Sequence, residues 1–280
     1  MADKRCVFMA LDGQKSGTDA LVLERGVMSG PMAPYIRGVK GNDLLHAPWG
    51  GVRFLEAVLG DELEAWPDMK LVDIRDTDLN TLRHYAPLNF ARCLVTVSVH
   101  SSVDVFVGLA QNFPDLGVIV FGVGTDIKAE EFAARYNGMT PAGAMEQWYG
   151  ALVAEYRKVT GATEAFPTRY AISSYDMLGM FAEKFPGVGC ITPGIRDEWM
   201  LKQGQKRTAG VYDALKAGAV AVVMGNQLYN GNPAAGVDAR ESQARTAVQI
   251  EKYLAETPAD LPDDPGHDAL AGRTTPEPQI

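Results

Sequence analysis

Residues Cys6–Gly17 read CVFMALDGQKSG, and the fold turns on how that first apolar run ends. The run is short and bounded by Asp12, as expected of a buried strand. In an open doubly wound sheet the first strand passes to its helix through a G-x-G-x-x-G turn that cradles a pyrophosphate. Gly13 and Gly17 do not have that spacing. The same kind of run then recurs seven times: YIRGVKG from Tyr35, MKLVDI from Met69, CLVTVSVH from Cys93, GVIVFGVG from Gly117, YAISSY from Tyr170, GCITPGI from Gly189 and AVAVVMGN from Ala219. Segments of helical period separate them, such as Ala144–Val159, with Met145, Trp148, Leu152 and Tyr156 on one face, and Val211–Lys216. Strand alternating with helix eight times predicts an α/β chain folded as a (β/α)8 TIM barrel, for which about 250 residues is typical. A single domain over residues 1–254 is expected. It closes on an amphipathic helix in DARESQARTAVQIEKYL, Asp238–Leu254, and residues 255–280, rich in Pro, Asp and Gly, read as a disordered tail. The stretch from Asp12 to Lys40 reads as one long connection with an irregular middle.

A net charge of -9 sets a field that repels polyanions and anionic membrane surfaces, so neither nucleic acid nor membrane is an expected partner. A small anion needs only a few local cations and backbone N–H groups. Cys6, Cys93 and Cys190 are widely spaced within apolar runs and read as buried free thiols in a reducing compartment. No run reaches the roughly 18 apolar residues of a membrane helix, and the apolar run after Arg5 is too short for a signal segment. A cytoplasmic location is expected.

The segment Asp68–Thr77, DMKLVDIRDT, sets charges into what reads as a core strand. Each buried charge costs several kcal/mol unless paired. On a strand, Asp68 and Lys70 share a face roughly 7 Å apart, whereas Asp73 has the opposite parity and belongs to the following loop. Lys40 closes the second run and comes beside the third in a barrel. These residues form either an ion-pair ladder that fixes register or an array poised at a binding site.

DMKLVDIRDT resembles the D-x-K-x-x-D-I-x-x-T motif of the orotidine 5'-monophosphate decarboxylase family. Lys40, followed by GNDLL, is similar to the family's lysine at the end of the second strand. The resemblance implies a catalytic tetrad of Lys40, Asp68, Lys70 and Asp73. It also implies a homodimer in which Asp73 and Thr77 reach the partner's active site. Asp12 in ALD matches a ribose-binding aspartate, and VSVHSS from Val97 and NGMTPAGAMEQW from Asn137 match further connections. TPGIRDEWMLKQGQKR, Thr192–Arg207, resembles the family's phosphate loop and implies substrate contacts from Pro193, Gly194 and Gln205, with Trp199 and Met200 suited to an apolar lid. The implied reaction converts orotidine 5'-monophosphate (OMP) to UMP and CO2 without cofactor or metal, as a step of pyrimidine biosynthesis, with Lys70 as proton donor.

The departures fall on substrate recognition. The family's eighth strand ends in Gly-Arg; here Gly225 is followed by Asn226. Losing that charge-assisted contact costs about 1.5–3 kcal/mol of phosphate binding unless Arg207, Lys202 or Lys206 substitutes. Thr125 or Gly124 stands where the family places a serine against the pyrimidine. Three alternatives stay open: a different orotate-like substrate, a metal-dependent sugar-phosphate decarboxylase of the same superfamily, or a nucleotide-binding paralogue without turnover. His100, at the end of the fourth run, is as readily structural as ligand-binding, and His46 and His84 carry no ligand spacing.

Overall fold

The computed structural model describes residues 4–85, 88–124, 127–161, 165–200 and 209–257. Eight parallel strands form the sheet: β1 (Val7–Ala10), β2 (Ile36–Gly41), β3 (Glu64–Pro67), β4 (Leu94–Ser98), β5 (Gly117–Phe121), β6 (Thr168–Ile172), β7 (Gly189–Thr192) and β8 (Ala219–Met224). Between and after them run α1 (Gly17–Met28), α2 (Gly51–Gly60), α3 (Arg75–Arg83), α4 (Val103–Asn112), α5 (Ala129–Arg135), α6 (Pro141–Thr160), α7 (Leu178–Lys184), α8 (Val211–Lys216), α9 (Asn226–Tyr229) and α10 (Ala239–Glu256). The strand order β3-β2-β1-β8-β7-β6-β5-β4 places β3 and β4 at the seam. Two parallel bridges, Ala65 to Cys93 and Leu71 to Val97, draw the seam together, giving the expected TIM barrel.

One strand lies elsewhere than its sequence suggested. The third strand is Glu64–Pro67, and MKLVDI follows it as irregular chain. Leu71 alone keeps strand-like pairing there, donating to Thr96 O at 2.9 Å and accepting from Ser98 N at 2.8 Å. The stretch after Asp12 also differs, since twelve residues of it form regular α1, capped by the Ser16 side chain. The last helix runs two residues past Leu254, to Glu256, and residues 258–280 lie outside the described residues.

Inward side chains alternate with outward ones along each strand. Phe8, Trp66, Leu94, Ile119, Tyr170 and Ile191 fill the barrel, while Val7, Met9, Val39, Val95 and Val97 face the helices. Near the strands' N-terminal ends a register shift between Val7 and Phe8 admits an extra β2 residue, which accounts for Arg37 pointing inward. Its guanidinium donates to Glu64 at 3.0 Å and to Tyr170 Oη at 2.7 Å and lies over the Phe8 ring. Cys93 and Cys190 are buried free thiols as expected; Cys6 is only partly buried. Among the described residues no helix is long and apolar enough to cross a membrane.

Glu24 of α1 is buried, and its Oε2 has no hydrogen-bond partner among the described residues. Burial, reinforced by Asp61, pushes its carboxyl up to about 7. The unfolded chain ionises this group near 4.5, so its contribution to stability falls as pH rises from there through about 7. Glu24→Gln is therefore expected to raise the urea midpoint relative to wild type at about pH 8 and to give no gain at about pH 4. Equal shifts at both pH values would show that the charge is not the cost.

Candidate active site

Pro67 ends β3 and the chain turns at once: Met69 N donates to Pro67 O at 2.9 Å, while Asp68 N remains paired to Gly41 O at 2.9 Å. Lys70 follows with φ of 51°, a left-handed conformation that disfavours a lysine. Strain of this kind persists where surrounding contacts impose it, often at functional sites. The turn folds Lys70 back over Asp68, bringing Nζ to 2.5 Å from Asp68 Oδ2. The two residues are thus neighbours through a turn, rather than through the strand pleat expected from their spacing.

Asp68 is 5% exposed, and both its oxygens are used. Oδ1 accepts from the Thr96 hydroxyl at 2.7 Å, which itself accepts from Trp66 Nε1 at 2.8 Å. Oδ2 receives Lys70 and, at 3.2 Å, Lys40 Nζ. Lys40 also donates to Asp12 Oδ2 at 2.6 Å, and the other Asp12 oxygen accepts from Asn42 N at 2.7 Å. The result is an alternating row, Asp12, Lys40, Asp68, Lys70, at the C-terminal mouth where TIM barrels build their sites. Burial works against charge on Lys40, but attraction to Asp68 and Asp12 outweighs it and holds the ammonium above the ordinary lysine range. Burial likewise opposes the Asp68 anion, but Lys40 and Lys70 together hold its carboxyl below the usual carboxylate range. Lys70 is half-exposed, with its ammonium 5.9 Å from the Phe121 ring centroid at the end of β5.

Asp73 and Thr77 are not brought to this row within the single chain. Asp73 is exposed; its Oδ1 accepts from Ile74 N at 2.7 Å, and its own N–H points to Asp78 Oδ1 at 3.4 Å. Among the described residues it forms no ion pair with Lys40 or Lys70. Thr77 lies exposed on α3. Asp12, taken from the sequence only as a ribose contact, occupies the row instead. Thr96, Trp66, Asn42, Phe121 and Tyr229 were not anticipated. A threonine and a tryptophan on adjacent inward strand positions were the available signal for the first two. Tyr229 sits close enough to Asp12 for its hydroxyl to be raised by burial and by that carboxylate.

At the other side of the mouth, Pro193 and Gly194 leave β7, Gly194 with φ of 76°. Gly225 follows β8, where an added Cβ would meet Tyr229 Oη at 3.2 Å and Ala10 O at 3.3 Å. Asn226 is exposed, its side-chain oxygen accepting from Asn230 at 2.9 Å. Trp199 is tied to α10 and to the chain after α9: its indole N–H donates to Ser242 at 2.9 Å, and its carbonyl accepts from Asn232 at 2.7 Å. Met200 also lies against Ser242. Thr125, Lys202, Gln205, Lys206 and Arg207 lie outside the described residues. His100 is exposed and packs edge-on against Trp148, 4.5 Å between centroids.

No protein-family model matches the chain. An orotidine 5'-phosphate decarboxylase of Xanthomonas campestris pv. campestris (strain B100) is 27% identical to it over 199 residues, covering 69% of this chain and 75% of that protein. The chain is thus similar in sequence to an orotidine 5'-phosphate decarboxylase. Solved structures of that family share its fold. The enzyme from Pyrococcus horikoshii OT3 superposes with a TM-score of 0.61 at 19% identity over 88% of this chain and 99% of its own. The Methanocaldococcus jannaschii enzyme, complexed with inhibitor BMP, gives 0.59 at 15% identity over 88% and 99%. The Sulfolobus solfataricus enzyme gives 0.57 at 17% identity over 90% and 100%.

Proposed function

We propose that this protein converts orotidine 5'-monophosphate to UMP and CO2 without a metal or other cofactor, in the cytoplasm, as a step of pyrimidine biosynthesis. The carrying observation is the row Asp12–Lys40–Asp68–Lys70, in which the Lys70 ammonium lies 2.5 Å from Asp68 yet remains half-exposed to the barrel mouth. The bond between C6 and the carboxylate breaks, its electron pair stays on C6, and CO2 departs. The Lys70 ammonium stabilises that carbanion and passes it a proton, then recovers one from solvent. Asp68 fixes the ammonium, while Thr96 and Trp66 fix Asp68. Lys40 bridges the two aspartates, with Asp12 placed to meet the ribose.

The active form is proposed to be a homodimer, with Asp73 and Thr77 of each copy completing the other's site. Val72 and Ile74, 64% and 70% exposed, flank Asp73 and supply apolar area for that contact. Chromatography of OMP incubated with the protein tests the reading: UMP should appear as OMP disappears. Unchanged OMP at millimolar concentration would end it.

Asn226 favours one second reading, a different orotate-like substrate whose anionic group does not need a guanidinium. The two readings separate on Asn226→Arg. Under the OMP reading this variant lowers KM for OMP by about tenfold or more, the value of a restored charge-assisted contact. If the native ligand is gripped otherwise, KM stays unchanged.

A further inference from the structure

Asp197 and Gln227 stand in the two segments where the family resemblance behind the proposed reading puts the substrate's phosphate, one after β7 and one in α9. Both are buried, 5% and 3% exposed. Asp197 N donates to Gln227 Oε1 at 3.0 Å, and Gln227 Nε2 donates back to Asp197 Oδ2. The same Nε2 donates to Thr246 Oγ1 of α10 at 2.9 Å, and the Thr246 hydroxyl donates to Ser242 O at 2.8 Å. The second Asp197 oxygen accepts from Val211 N at the start of α8, at 3.0 Å. Arg196 N reaches Ala209 O at 3.2 Å, and a Cβ on Gly210 would come within 2.7 Å of Asp197 Oδ1.

Among the described residues no cation pairs with the Asp197 carboxylate; a buried carboxylate held by neutral donors is a costly way to join three segments, and apolar packing would serve stability alone as well. What it supplies is direction: every donor and acceptor in the pair has one partner geometry. We infer that the Asp197–Gln227 pair is a positioning device that fixes the spacing between the Pro193–Gly194 turn and the Gly225–Asn226 turn, and so the fit of a phosphomonoester between them. The inference rests on the proposed reading for the place of the phosphate. The nucleobase end, at Lys70, lies outside its reach.

Asp197→Asn is the informative change. It keeps an acceptor for Val211 N but turns an N–H toward the Gln227 amide. A flip of Gln227 would repair that contact only by setting its N–H against the backbone N–H of residue 197. Glutamate at 227 accepts both. The experiment compares wild type, Asp197→Asn and Asp197→Asn/Gln227→Glu for inhibition or binding by UMP, ribose 5-phosphate and uridine, and for kcat and KM with OMP. Gln227→Met, which deletes the same contacts, replaces the single variant if it does not fold. In the single variant, dissociation constants for UMP and ribose 5-phosphate and the KM for OMP should rise about tenfold, with uridine affinity and kcat within about twofold. The double variant should recover most of the loss. Unchanged ribose 5-phosphate binding, or equal weakening of uridine, would overturn the inference. Wild type that binds ribose 5-phosphate but leaves OMP intact would end the OMP reading while the ribose 5-phosphate comparison still decides this one. Wild type that binds neither phosphate overturns both.

Discussion

Lys70→Ala is expected to lower kcat/KM for OMP by about 10³-fold or more while changing UMP affinity by less than about tenfold. The asymmetry follows from where the residue sits. Its ammonium is half-exposed at the mouth, anchored at one point by Asp68, so removing it leaves the phosphate end and the barrel intact. On the proposed mechanism, what disappears is the positive charge beside the developing carbanion and the proton that quenches it. Electrostatic stabilisation by one placed group and proton delivery by one acid are each worth several kcal/mol of transition state, and alanine removes both. Steady-state rates and calorimetric titration with UMP check the two halves separately. A variant retaining more than a tenth of the wild-type rate would remove Lys70 from the chemistry.

Asp68→Ala is expected to be damaging in a second way. Beyond abolishing turnover, it leaves Lys40 and Lys70 facing one another without the anion between them and strips Thr96 of its acceptor. Removing one partner of a buried, hydrogen-bonded charge set costs about 3–5 kcal/mol. The pH dependence carries a sign. Because the folded Asp68 carboxyl is held below its usual range, its contribution is fully present above the ordinary carboxyl value and is lost as pH falls through the lower folded value. Lys40, held above its ordinary range, contributes fully below that range and loses its contribution only in strong alkali. Urea unfolding at about pH 7 and about pH 3 should therefore show a large gap between wild type and variant at neutrality and a smaller one in acid. A constant gap would mean that lost packing, rather than charge, carries the effect.

Seven of the eight strands were legible because short β-branched runs between helical segments have few other uses. The third was hidden by its own chemistry. Glu64 and Pro67 make EAWP look unlike a core strand, whereas Glu64 is buried against Arg37 inside the barrel and Pro67 occupies the strand's last position. MKLVDI has the apolar content of a strand, but the turn at Asp68–Lys70 diverts it, and a lysine at positive φ leaves no mark in sequence of the kind a glycine or asparagine would. Lys40, Asp68 and Lys70 were singled out by charge within apolar runs, given roles by resemblance, and are adjacent in space. The contact of Lys40 with Asp12, some thirty residues upstream, required the pairing of β1 with β2, which periodicity alone does not give. Asp73 and Thr77 are exposed and are not brought to the row of their own chain, so the resemblance that named them finds no counterpart within a single copy.

The most direct test is the initial rate of ultraviolet absorbance loss from OMP, measured with wild-type protein in EDTA and again with added Mg2+. A metal-free site built around this row of two aspartates and two lysines predicts conversion in EDTA at a rate that Mg2+ does not change. Conversion that appears only when the metal is added, or none under either condition, would contradict it.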